Sequence, residues 1–187
     1  SGNLEKFHGV VNGIDPDIWD PANDEFLPRF YDETEMVEGK AAAREALCAH
    51  SNMPNKPGVP MVGVVTRLST QKGIHLIKHG IMRSLERGCQ VVLLGSAPDP
   101  KIQQDFDMMY HELKQRYYDS MCFHLYYNEP LSHLIYAGAD MLLVPSMFEP
   151  CGLSQLIAMR YGTVPIVRRT GGLNDTVFDY DMDHKKA

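Results

Sequence analysis

Three short, nearly continuous apolar runs set the terms for this chain: Val59–Thr66 (VPMVGVVT), Gln90–Gly95 (QVVLLG) and Asp140–Pro145 (DMLLVP). A strand that is apolar on both faces must be covered on both, which places such runs in a parallel sheet sandwiched between helices. The intervening segments supply the helices. Gly73–Arg87 carries Ile74, Ile77, Ile81 and Leu85 at helical spacing and is stopped by Gly88, and Asp99–Tyr118 is long and amphipathic. Met36–His50, Glu129–Gly138 and Cys151–Tyr161 read as further helices, Met121–Tyr126 and Thr163–Val167 as further strands, and Phe7–Asn12 as a modest strand candidate. Asp15–Tyr31 has no period, Ser51–Gly58 reads as a loop, and Thr170–Gly172 as a turn before a short helix. Strand and helix alternating at this spacing predict right-handed β-α-β units, hence a doubly wound, Rossmann-like α/β sheet.

At 187 residues the chain is expected to form one domain, with residues 1–35 an irregular lead-in and 36–187 the core. Ser1-Gly2 reads as a cloning remnant, so the domain is expected to come from a longer protein. Lys plus Arg number 18 against 24 Asp plus Glu, a net charge of −6, which argues against nucleic acid as the main partner. The longest stretch lacking Asp, Glu, Lys and Arg is Gly88–Pro98, too short to span a membrane, and no secretory signal opens the chain. Cys48, Cys89, Cys122 and Cys151 include no C-x-x-C pair, which favours free thiols in a reducing compartment over disulfides or zinc.

In doubly wound sheets ligands bind at the carboxyl ends of the strands, near the topological switch point. After the first apolar run comes Thr66-Arg67-Leu68-Ser69-Thr70-Gln71-Lys72-Gly73, in which two cations flank a loop entering a helix. Arg offers a planar fork and Lys a mobile point charge, a combination suited to a diphosphate, although read alone the pair is equally two solvated surface cations. After Asp140–Pro145 comes Ser146-Met147-Phe148-Glu149-Pro150-Cys151-Gly152-Leu153-Ser154. There Pro150 could open a helix, Gly152 permits close backbone approach, and the N–H groups near Leu153 and Ser154 could hold a phosphate oxygen. Glu149 is either a helix-dipole partner or an acceptor for ligand hydroxyls. Tyr126-Tyr127 closes a third strand, where a ring could stack on a base or simply pack. Thr170-Gly171-Gly172 is a fourth loop of this kind.

No G-x-G-x-x-G, G-x-x-x-x-G-K-[ST] or G-x-S-x-G occurs, which weakens dinucleotide, P-loop and serine-esterase readings. His75 and His79 make half a zinc site without a third ligand nearby in sequence, so no metal is expected. A cation pair, a carboxylate, an aromatic ring and helix N-termini at one sheet edge together suggest a nucleoside diphosphate carrying a polyol.

Four ordered segments, RLSTQKG (67–73), SHLIYAGAD (132–140), PSMFEPCGL (145–153) and VRRTGGLNDTV (167–177), resemble the starch and glycogen synthases, retaining glucosyltransferases of the GT-B fold. Val11-Asn12-Gly13-Ile14-Asp15 resembles that family's entry into its C-terminal domain, so the likeness covers over nine-tenths of the chain. LLGSAPDP (93–100) and KGIHLIKH (72–79) resemble plant and algal soluble starch synthases of the class III type most. The resemblance implies the C-terminal, nucleotide-sugar-binding half of a GT-B enzyme, with the N-terminal domain and its K-x-G-G-L donor loop absent. It gives Arg67, Lys72 and Glu149 catalytic roles: the cations hold the ADP-glucose diphosphate and steady the departing ADP, while Glu149 contacts the transferred glucose. It makes Tyr127 the adenine-stacking ring, Cys151 and Gly152 pocket-lining residues, and Leu153 and Ser154 phosphate contacts. The implied reaction moves glucose from ADP-glucose to the non-reducing end of an α-1,4-glucan with retention, using no metal or other cofactor.

Two positions depart from the family's pattern. Ser154 stands where Thr is usual, keeping the hydroxyl. Ile157 replaces the second carboxylate of the E-x7-E pattern of related glycosyltransferases, a feature starch synthases generally share. The resemblance further implies plastid stroma, a glucan acceptor held largely by the missing domain, association with other starch-synthesis enzymes, and weak ADP binding without glucan elongation by this piece alone. A non-catalytic nucleotide-sugar-binding or scaffold module and a UDP-sugar glycosyltransferase are the alternative readings.

Overall fold

The apolar runs become strands and the patterned segments helices. In the computed structural model, which describes residues 6 and 8–182, the order is α1 (Met36–His50), β1 (Met61–Val65), a 3-10 turn (Thr70–Lys72), α2 (Ile74–Glu86), β2 (Gln90–Leu94), α3 (Pro100–Arg116), β3 (Met121–His124), α4 (Glu129–Gly138), β4 (Met141–Val144), α5 (Ser154–Arg160), β5 (Val164–Val167) and α6 (Gly171–Thr176). All strand pairings are parallel, in the order β3-β2-β1-β4-β5. The chain therefore leaves β1 toward β2 and β3, then crosses back to β4 on the other side. The switch point lies between the carboxyl ends of β1 and β4.

Alternation along the strands divides the core into two layers. Val62, Val64, Val91, Leu93, Met121 and Phe123 face Ile77, Ile81 and Leu85 of α2 and Phe106 and Leu113 of α3. Met61, Val92, Leu94 and Leu142 face the other way, toward Ala43 and Leu47 of α1, Ile135 and Tyr136 of α4, and Ile157 of α5. Burial on both faces is what makes β1 and β2 read as unbroken apolar runs. Helices α1 and α4 pack closely because Gly138 has no side chain; a Cβ there would lie 2.9 Å from Arg44 Cα.

Lys40 of α1 ties the helix ends together. Its ammonium donates to Ala137 O (2.8 Å), Ala139 O (2.9 Å), Tyr161 O (3.3 Å) and Thr163 Oγ1 (2.7 Å), and burial pushes its pKa down to about 8. The lead-in wraps onto the same layer, with Tyr31 OH donating to Tyr161 O at 2.9 Å.

Three expectations change. Phe7 lies outside the described residues, and residues 8–12 form no strand; Val10 is 92% exposed and adds to neither sheet edge, β3 or β5. The helix expected from Cys151 starts at Ser154 instead, so Pro150 does not open it. Gly152 holds φ +77°, left-handed backbone that a right-handed helix cannot continue through. The turn expected at Thr170–Gly172 is the start of α6, with Thr170 as its N-cap.

Candidate functional site

The loops following β1, β4 and β5 are locked against one another at the switch point. Met147 N donates to Gln71 O at 2.8 Å, joining the first two loops. Gly73, at φ +73°, lies so close to Pro145 O that any Cβ would clash with it. Gly172 N donates to Glu149 O at 2.8 Å, and Gly171, at φ +44°, sits against the same carbonyl. Both glycines after β5 are thus required by close approach to the backbone of the Glu149 loop.

Within this junction the Glu149 carboxylate is buried and accepts two hydrogen bonds. Lys72 Nζ donates to Oε2 at 2.6 Å and Ser146 Oγ to the same oxygen at 3.1 Å. Side-chain exposure is 25% for Lys72 and 10% for Glu149, so this is a largely desolvated ion pair that still opens to solvent at the lysine. Cys151, Gly152, Leu153 and Ser154 follow at once. Cys151 Sγ lies 3.7 Å from Asn12 O; a Cβ on Gly152 would meet Gln155 Oε1 at 2.6 Å and Glu149 Cγ at 2.9 Å; Leu153 is 44% exposed. Leu153 and Ser154 occupy the N-cap and first position of α5, where backbone N–H groups lack partners inside the helix.

Beside this junction a cleft of about 400 Å³ opens over the carboxyl ends of β1, β2 and β3. Arg67 lines it, as do Tyr127, Tyr126, Gly95, Ser96 and, from the lead-in, Trp19. Tyr127 is 82% exposed, so its ring is free to take a flat guest. Gly95 is needed because a Cβ would run into Thr66 O across the tops of β1 and β2. The structure therefore gathers Lys72, Glu149, Cys151 and Gly152 at the switch point, and Arg67 with Tyr127 in the adjoining cleft. Among the described residues, no group of three or more His, Cys, Asp and Glu is placed to hold a metal ion.

Sequence reasoning missed the wall that holds Trp19. His133 of α4 stacks on the Trp19 indole (centroids 4.2 Å apart, planes at 14°), and its Nδ1 lies 2.7 Å from Asp24 Oδ2. Asp24 also accepts from Tyr161 OH at 2.6 Å and, through Oδ1, from Phe26 N at 3.0 Å. Burial opposes the charged form of Asp24, but the hydrogen bonds from His133, Tyr161 and Phe26 outweigh it and hold its carboxyl below the usual carboxylate range. Tyr136, another wall of the cleft, is buried enough for its phenol to be pushed up to about 12. The only sequence signal for this cluster is a histidine inside the otherwise apolar SHLIYAGA stretch of α4.

Comparisons with known proteins agree with this fold. The profile of the family Glycosyl transferases group 1 matches residues 50–183. The chain is 60% identical over 185 residues to soluble starch synthase 3 of Solanum tuberosum (99% of this chain, 15% of that protein). It is 61% identical over 187 residues to starch synthase 3 of Arabidopsis thaliana (100% of this chain, 18% of that protein). Among solved structures, the catalytic domain of starch synthase IV from Arabidopsis thaliana, bound to ADP and acarbose, superposes with a TM-score of 0.90 at 49% identity, covering 96% of this chain and 36% of that one. The chain thus spans less than a fifth of the length of the starch synthases 3 that it matches.

Proposed function

The chain belongs to the group 1 glycosyl transferases, and on that footing we propose that it is the donor-binding domain of a starch synthase that moves glucose from ADP-glucose to the non-reducing end of an α-1,4-glucan with retention. The observation that carries this reading is the Lys72–Glu149 pair at the switch point, set beside a cleft lined by Arg67 and Tyr127. The roughly 60% identity to starch synthases 3, and a close structural relative bound to ADP and acarbose, support the same substrates.

In this reading the adenine lies on Tyr127 and the diphosphate runs toward Arg67 and Lys72. As the glycosidic bond to phosphate breaks, negative charge grows on the departing ADP. Two cations, Lys72 held in the partly desolvated junction and Arg67 on the exposed rim of the cleft, stabilise that charge more in the transition state than in the ground state, which is what accelerates the step. Glu149 accepts from the glucose hydroxyls, and Lys72, already on its Oε2, aligns it. Gly152 lets the sugar approach the backbone, with Cys151 lining the same side, while the N–H groups of Leu153 and Ser154 meet a phosphate oxygen. No metal is required of this arrangement, because the cation pair carries the countercharge.

Residues 1–187 act as one half of a two-domain catalytic unit within a longer protein, and elongation of glucan belongs to that longer protein. The starch synthases 3 that it matches are chloroplastic or amyloplastic, which favours a plastid location. No helix among the described residues is long and apolar enough to cross a membrane.

Titration of the ¹⁵N-labelled chain with ADP, against UDP, tests the reading. Shifts centred on Arg67, Lys72, Tyr127 and Leu153, stronger with ADP and abolished in the Arg67→Ala, Lys72→Ala double variant, are expected. Silence at millimolar ADP, or a preference for UDP, overturns the assignment.

A further inference from the structure

Tyr126 stands next to the ring assigned to the base, and it is held in a way Tyr127 is not. It lines the same cleft and is 46% exposed. Its hydroxyl lies 3.0 Å from His124 Nδ1, and its ring stands edge-on to the imidazole, with centroids 5.7 Å apart and planes at 83°. His124 is buried at the end of β3, and its Nε2 lies 2.9 Å from the hydroxyl of buried Ser51, which caps the C-terminus of α1.

A neutral imidazole has one N–H and one lone pair. Ser51 and Tyr126 therefore occupy the two ring nitrogens with complementary roles: if one hydroxyl donates, the other accepts. The relay fixes the phenol from the helix side of the sheet, leaving the ring as a stiff panel on the cleft. Trp19, stacked on His133, supplies aromatic surface to the same cavity.

We propose that Tyr126 is a specificity-determining residue of this cleft: its ring, held by His124 and Ser51, adds aromatic surface that favours a purine over a pyrimidine nucleotide. A purine presents two fused rings and gains more from a second aromatic surface than a pyrimidine does, since stacking on aromatic side chains scales with the face covered. The inference rests on the cleft being the nucleotide site proposed above, and its test separates the two.

The chain has a single tryptophan, and that residue lines the cleft, so its emission reports occupancy without a label. ADP and UDP are titrated into the wild-type chain and into Tyr126→Ala and Tyr126→Phe, with thermal melting recorded in parallel. In Tyr126→Ala, ADP binding is expected to weaken by about tenfold and UDP binding by no more than about threefold, lowering the ADP/UDP preference. Tyr126→Phe keeps the ring but releases it from His124 and is expected to fall between. A role confined to folding would lower the melting temperature without moving that preference. Wild-type binding of ADP together with an unchanged preference in Tyr126→Ala overturns this inference and leaves the donor-domain reading standing. Failure of the wild-type chain to bind either nucleotide overturns both.

Discussion

Removing the Asp24 carboxylate is the perturbation whose consequences can be followed furthest. The Asp24 and His133 side chains are 2% and 1% exposed, and Asp24→Ala takes the carboxylate from His133 Nδ1, Tyr161 OH and Phe26 N at once, leaving the first two only a 3.4 Å contact with each other. His133 Nε2 already lacks a hydrogen-bond partner, so the imidazole would keep only the 3.4 Å contact of its Nδ1 with Tyr161 OH. Breaking a buried, hydrogen-bonded carboxylate network costs about 3–5 kcal/mol. For a domain of this size that is about 10 °C in melting temperature. Asp24→Asn, which keeps an acceptor oxygen but brings two unwanted donors, should lose about half as much. Because the carboxyl titrates below its ordinary value in the folded chain, its contribution is present above the unfolded pKa and is lost as pH falls through the folded one. Wild-type stability should therefore drop below about pH 4, and Asp24→Ala should show a shallower acid limb. The assay is thermal melting by far-ultraviolet circular dichroism from pH 7 to pH 3, with Trp19 emission read on the same samples. An Asp24→Ala chain that melts within 2 °C of wild type at pH 7 would refute the reasoning.

Two further outcomes are expected. Gly73→Ala forces left-handed backbone and drives a Cβ into Pro145 O, so it should cost about 2–3 kcal/mol, read as a lower urea midpoint, and weaken ADP binding with it. Burial and the neighbouring His50 push the His124 pKa down to about 4, so its neutral form stabilises the fold fully above about pH 6.5. That contribution, up to about 3 kcal/mol, is lost as pH falls toward 4, and His124→Asn should flatten the urea midpoint between those pH values if the account is right.

What could be read in the residues, and what could not, divides along the range of the interactions involved. Strands β1, β2 and β4 announce themselves because local sequence has no reason to place so many apolar residues together unless both faces are covered. The pattern of Glu129–Gly138 predicts a helix and α4 forms there, with Asn128 capping it through a 3.0 Å bond from Leu131 N. Residues 8–12 include strand-like Val10 and Val11 but pair with no strand of the sheet, and pairing is a tertiary fact. The early start expected for α5 failed at one glycine, whose backbone obeys the contact with Glu149 and Gln155 rather than helix propensity. The loops carrying Arg67, Lys72 and Glu149 follow β1 and β4, and the apolar runs that mark those strands are enough to locate them. The link between Asp24 and His133 spans 109 residues, and no local pattern predicts that an irregular lead-in will stack its indole on a helix so distant in sequence.

The interlocked loops at the switch point bear on the thermodynamics of whatever lands there. Met147 N on Gln71 O, Gly172 N on Glu149 O, and Gly73 against Pro145 O knit three segments together before any guest arrives. The disorder that a ligand-binding loop would ordinarily surrender on capture has here been surrendered when the chain folds. A ligand at this seat should then bind with little change in backbone mobility around Lys72 and Glu149, and affinity should be set by charge and shape rather than by the cost of ordering the protein.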